Sequence, residues 1–159
     1  MKQVAPILVF SLLVAASCLG QKPPVDPEAL NQKEIDRIKT EIPKASPPHQ
    51  AKLYAELGER LVDVADQQFN HSESVAGLAT IQEIDQNSVK ARDLSVSTKS
   101  NRKEIEMIFR KTQRHLEALK HTLAAEDRPA VDAVEKKLAD MRQELLDSMF
   151  APNKPKEAK

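Results

Sequence analysis

The sequence predicts an all-α protein: an antiparallel helical bundle, made of a short first helix and about four longer ones, following a cleaved signal peptide. Three observations carry this expectation. Apolar residues return in steps of three and four along most of the chain, and no stretch alternates with the period of a strand. Only three glycines and 3% aromatics stand among 30% charged residues, the composition of helix formers and not of a sheet. Asp-Pro and Ser-Pro pairs open two of the periodic stretches, and further prolines close others. At 159 residues the chain fits one domain.

The amino-terminal stretch comes first. Lys2 precedes an uncharged run over residues 4–17, shorter than the roughly 20 residues of a membrane span but suited to the apolar core of a signal peptide. Pro6 inside it argues against a buried helix. Two processing schemes fit residues 1–17. Ala15 and Ser17 suit an ordinary signal peptidase, cutting before Cys18 or slightly later. The same residues, VAASC, also resemble the lipobox of bacterial lipoproteins, a few apolar or small residues followed by cysteine. That resemblance implies that Cys18 is lipidated and becomes the first residue of the mature chain; the departure is Ala15, where the commonest form has Leu. Cys18 is the sole cysteine, so an exported chain offers it no internal disulfide partner, and lipidation would give the thiol a role.

Residues 18–26 read as a proline-rich tether, and 27–150 as the bundle. Asp26-Pro27-Glu28 is a helix start, with Leu30, Ile35, Ile38 and Ile42 as its apolar stripe and Pro43 as its stop. Ser46-Pro47-Pro48 opens a second helix with Tyr54, Leu57, Leu61, Val64 and Ala65 inward, and Leu53 and Phe69 beside them. Asn70 and Ser72 offer caps for a break, and Asn70 with Glu73 has capping-box spacing. A third helix runs over about 73–98 and is broken at Lys99-Ser100-Asn101 without Gly or Pro. The fourth carries Ile105, Phe109, Thr112, Leu116, Leu119 and Leu123. After the turn at 124–129, with Asp127 as cap and Pro129 in the first turn, the fifth carries Val131, Val134, Leu138, Met141, Leu145 and Met149 up to Pro152. Residues 151–159 form a charged, disordered tail.

Pairing the third and fourth helices as a hairpin sets Phe109 opposite Ala91, with Ile105 opposite Ser95 and Thr112 opposite Ser88, large against small. Without that register, Ser88, Ala91 and Ser95 would form an open groove for a ligand. The fifth helix fits the fourth with Leu123 near Val131, Leu116 near Leu138 and Phe109 near Leu145.

Several chemistries find no support. Basic and acidic residues balance at 24 each, and removal of residues 1–17 takes only Lys2, leaving 23 against 24, so no overall field favours nucleic acid. No strand-turn-helix nucleophile motif occurs, so no enzyme is expected. No Glu stands three residues before a histidine, His115 and His121 lie on different helix faces, and Glu117 with His121 is one pair and not a metal site. No haem-attachment motif occurs, and a noncovalent haem site using Met107 or Met141 has no positive support. LYAELGERL (53–61) is similar to the opening of a tetratricopeptide repeat, but Asn70 and Ser74 break its second half and no further copy follows. Lys99, Lys103, Arg110 and Arg114 read as a solvated face paired with Glu104, Glu106 and Glu117.

The expected protein is therefore an exported bacterial, non-catalytic helical module without cofactor, metal or catalytic residues. It would be anchored through Cys18 in the periplasm or outer envelope, or else secreted, and would bind an unidentified protein partner or support an envelope scaffold. The alternative is a ligand- or cofactor-binding bundle for haem or a metal.

Overall fold

A computed structural model describes residues 26–150, and among them every regular element is a helix. The expected signal peptide, Cys18, the rest of the tether before Asp26, and the tail at 151–159 lie outside the described residues. Helix α1 spans Pro27–Glu41 and begins as its sequence dictates: the Asp26 carboxylate accepts from the Glu28 amide at 3.0 Å, and proline occupies the first turn. It tightens into a single 3-10 turn at Ile42–Lys44, where Pro43 can no longer donate along the helix. Its inward face differs from expectation at one point. Ile35 and Ile38 are buried, but Leu30 is 54% exposed and Asn31 points inward, donating to the Arg60 carbonyl at 3.2 Å.

Helix α2 (Pro47–Asn70) and helix α3 (Ser74–Thr98) are joined by a tight turn in which Ser72 takes a left-handed φ of 63°. The expected capping box does not form. Asn70 completes α2, Glu73 precedes α3 without a side-chain cap, and the Glu73 amide closes back on the Gln68 carbonyl. Helix α4 (Arg102–Thr122) follows the break at 99–101, and helix α5 (Arg128–Phe150) follows a turn at 123–127. The large apolar residues expected inward on α4 and α5 are buried, with Met149 half-buried at the end.

Consecutive helices run antiparallel, yet the bundle is not a simple ring in chain order. Helix α2 packs against α3 and α4, and α5 packs against α4 and α3, so α3 and α4 stand diagonally and meet only sparsely. The proposed pairing of α3 with α4 is thus replaced by pairing of α3 with α2. The reason is side-chain size. A Cβ placed on Gly58 would lie 3.5 Å from Ser88 Oγ and 3.8 Å from the Ile84 carbonyl oxygen, and one on Gly77 would strike the Phe69 ring. Stepping along both helices from these contacts sets Ala55 opposite Ala91 and Ala51 opposite Ser95, all four buried. Small residues on both helices let the backbones approach closely, and the suspected groove along Ser88, Ala91 and Ser95 is filled by α2. The α4–α5 pairing agrees with expectation: Lys120 bonds Glu135 at 3.0 Å and Arg142 bonds Gln113 at 2.7 Å, bracketing Leu116 and Leu138.

The two hairpins, α2–α3 and α4–α5, therefore lie side by side, with α2 parallel to α4 and α3 parallel to α5. Salt bridges join them at matched positions: Lys52 to Glu104 (2.7 Å), Lys111 to Glu59 (3.5 Å), Lys137 to Asp85 (2.6 Å) and Arg92 to Glu144.

Candidate functional site

Two places in the bundle depart from an apolar core with a solvated surface. The first is ionic and sits between α4 and α5. Glu106 is only 3% exposed, and its Oε1 accepts from Arg110 Nη2 (2.8 Å) and from Arg142 Nε and Nη2 (3.1 and 2.9 Å). Arg142 also donates to Gln113 Oε1 at 2.7 Å. Burial pushes the Glu106 carboxyl upward, but the hydrogen bonds and charges of the two guanidinium groups outweigh it and hold the group below the ordinary carboxylate range. The sequence reading gave Glu106 a surface role beside Arg110. What it missed is Arg142, which turns an exposed helix pair into a cross-helix cluster. This cluster is closed: both oxygens of the Glu106 carboxylate are taken up by guanidinium donors.

The second place is a cleft of about 300 Å³ between α2 and α4, floored by the buried Val62 and Leu119 and edged by Asp63, Asp66, His115, Ala118 and Thr122. Asp63 and Asp66 also border a neighbouring cleft of about 460 Å³, where Asp26 and Pro27 of α1 meet Gln67 and Asn70. The start of α1 thus lies beside the end of α2. Chemically, the first cleft offers an apolar floor with two carboxylates and an imidazole at its rim. The sequence held one signal for it, His115 on an otherwise charged helix face, but Asp63 and Asp66 reach it only through the parallel packing of α2 on α4.

The other residues singled out by the sequence are not brought together. His121 and Glu117 are exposed, Met107 is 52% exposed, Met141 is packed in the core, and the cleft at His115 holds no methionine. Among the described residues, no three His, Cys, Asp or Glu side chains are grouped so as to hold a metal ion, and no helix is long and apolar enough to cross a membrane. Of the basic residues on α4, Arg110 pairs with Glu106, while Lys103 and Arg114 are exposed. No family model matches the chain, and neither a curated protein nor a solved structure matches it. What can be said of its role therefore rests on its own residues.

Lys120 and Lys52 complete the electrostatic picture. The Asp132 and Glu135 carboxylates raise the Lys120 ammonium above its ordinary range, and Glu104 raises that of Lys52. Both lysines tie helices together.

Proposed function

We propose that this chain is an exported, non-catalytic helical module of a bacterial envelope, held at a membrane through acylated Cys18 and acting by binding a protein partner. The observation that carries the reading is the VAASC sequence at the end of an uncharged run, with the only thiol of the chain at its close. A helical bundle whose ionic cluster is internally satisfied supports a binding or scaffold role over a catalytic one. Nine residues from Cys18 to Asp26 reach at most about 30 Å, so the anchor would keep the bundle against the membrane surface.

Mass spectrometry of the mature amino terminus, taken from the membrane fraction, tests the anchor. A first residue at Cys18 bearing acyl chains is expected, and an unmodified terminus at Cys18 or Gln21 overturns it. Covalent capture in intact cells then identifies the protein partner. Absorbance and metal analysis of the natively purified protein serve as the counter-test, since a chromophore or a stoichiometric metal would replace the scaffold reading with a cofactor-binding one.

A further inference from the structure

The connection between the two hairpins is the least accommodating piece of backbone in the bundle. It has three residues, none of them glycine, and two adopt left-handed conformations: Lys99 at φ 55° and Asn101 at φ 57°. Lys99 occupies the position after α3 that helices usually give to glycine; its amide returns to the Val96 carbonyl, and the Ser100 amide to the Ser95 carbonyl. A lysine there crowds its Cβ against the backbone, a cost that glycine avoids. Asparagine tolerates the conformation better, and its side chain is tied to the Pro48 carbonyl at 2.8 Å. Both strains vanish if residues 99–101 become helical and α3 runs on into α4.

A continuous helix of this kind carries α4–α5 away from its own α2–α3. Apart from the Asn101–Pro48 bond, the interface between the hairpins is made of contacts that do not depend on the connection: the apolar core that both hairpins share, the four salt bridges above and the Ser74–Asp127 hydrogen bond at 3.1 Å. A second copy presents the same surfaces. We propose that two copies of this chain exchange their α4–α5 hairpins, each closing on the α2–α3 hairpin of the other across a straightened α3–α4 helix. The direction is compatible, because α3 and α4 already run antiparallel within one bundle, as α3 of one copy and α4 of the other would across a two-fold axis. The end of the bundle that bears the connection also carries Val96 (40% exposed) and Phe150 (80% exposed), with Arg102 on the Ser148 carbonyl fixing the end of α5 there. Two bundles meeting end to end would cover these side chains, which a lone bundle leaves in water.

The test uses two variants made in a Cys18→Ser background, so that the introduced thiols have no other partner, Lys52→Cys and Glu104→Cys, purified separately, mixed at high concentration and oxidised. Exchange brings position 52 of one copy beside position 104 of the other, so a disulfide-linked peptide pair 52–104 in a dimer of defined mass is expected. A dimer without that pair, or no dimer, overturns the exchange. The connection is tested independently. Lys99→Gly relieves the strain of the closed form in each of the two copies, about fivefold per copy for the roughly 1 kcal/mol cost of a left-handed non-glycine residue, and should lower the dimerisation constant about thirtyfold. The triple change Lys99→Ala, Ser100→Ala and Asn101→Ala should raise it. Because Lys99→Gly keeps the helix end intact, an unchanged dimer fraction in that variant refutes the hinge even if the alanine variant fails to fold.

Discussion

Gly58 and Gly77 allow one substitution, glycine to alanine, to be read in opposite directions. Both lie within helices, and neither has a left-handed φ, so neither is required by backbone conformation. Alanine in a helix interior is favoured over glycine by roughly 1 kcal/mol. At Gly58 the added Cβ would meet Ser88 Oγ at 3.5 Å and the Ile84 oxygen at 3.8 Å, ordinary contact distances. Gly58→Ala should therefore stabilise the protein by about 0.5–1 kcal/mol. At Gly77 the Cβ would lie 2.7 Å from Cζ of Phe69 and 2.8 Å from both of its Cε atoms. The ring tip is seated on the glycine, and Phe69 is itself half-buried, so it has to move. Overpacking of this kind costs about 1–3 kcal/mol, while Gly77 sits in the first turn of α3, where the propensity gain is smaller. Gly77→Ala should destabilise by about 1 kcal/mol, which sets the two alanine variants about 2 kcal/mol apart.

Urea unfolding with an unchanged dependence on denaturant measures this difference. The contact itself is isolated by repeating Gly77→Ala in a Phe69→Leu background, where the shorter side chain leaves room for the methyl group and the penalty should disappear. If Gly77→Ala stabilises as much as Gly58→Ala, the seating of Phe69 on Gly77 is wrong, and with it one of the two contacts that fix the α2–α3 register.

Glu106→Gln removes the charge shared by Arg110 and Arg142 and should cost about 1–3 kcal/mol at neutral pH. The carboxyl is held below its ordinary value of 4.5, so its contribution is complete above that pH and is lost as the pH falls through the lower folded value; the gap between wild type and variant, followed by unfolding at successive pH values, should close only in acid. Ala91→Phe should destabilise by about 1–3 kcal/mol, because Ala91 is fully buried against α2. Phe109→Ala should not rescue it; a double-mutant cycle showing recovery would restore the pairing of α3 with α4.

What the sequence made legible follows from where side chains are large. The seams of α4 and α5 are built from Ile105, Phe109, Leu116, Leu138 and Leu145, whose spacing alone places them inward, and the structure buries all five. The break at 99–101 is real without a glycine, because capping hydrogen bonds made by Ser95 and Ser100 hold the end of α3. The α2–α3 contact was not legible. Ala51, Ala55, Gly58, Ser88 and Ser95 carry little hydropathy, so period analysis gives them little weight, yet their small size lets α2 and α3 pack closely. Leu30 and Asn31 show the same limit in reverse: hydropathy sends the leucine inward, whereas the hydrogen bond from Asn31 to Arg60 holds the asparagine there. Clefts edged by Asp63, Asp66 and His115 depend on which helices are neighbours, which no stripe on a single helix reveals.

The choice of neighbours has its own code in the charges. On α2, Lys52 and Glu59 are seven residues apart, and they face Glu104 and Lys111 of α4, also seven apart. On α3, Asp85 and Arg92 have the same spacing and face Lys137 and Glu144 of α5. In each pair of helices the sign alternates from one heptad to the next, so a slip of α4 by one heptad sets Lys52 against Lys111, and a slip of α5 sets Arg92 against Lys137. These bridges are half-exposed, and each is worth at most about 1 kcal/mol, so they contribute little to stability beside the apolar core. Their weight lies in the difference between registers: a one-heptad slip loses both correct pairs of that pair of helices and sets two like charges against each other. The antiparallel hairpins need no such device, because turns three to five residues long fix their register covalently. Only the parallel contacts between hairpins lack a connecting turn, and those are where the alternating charges stand.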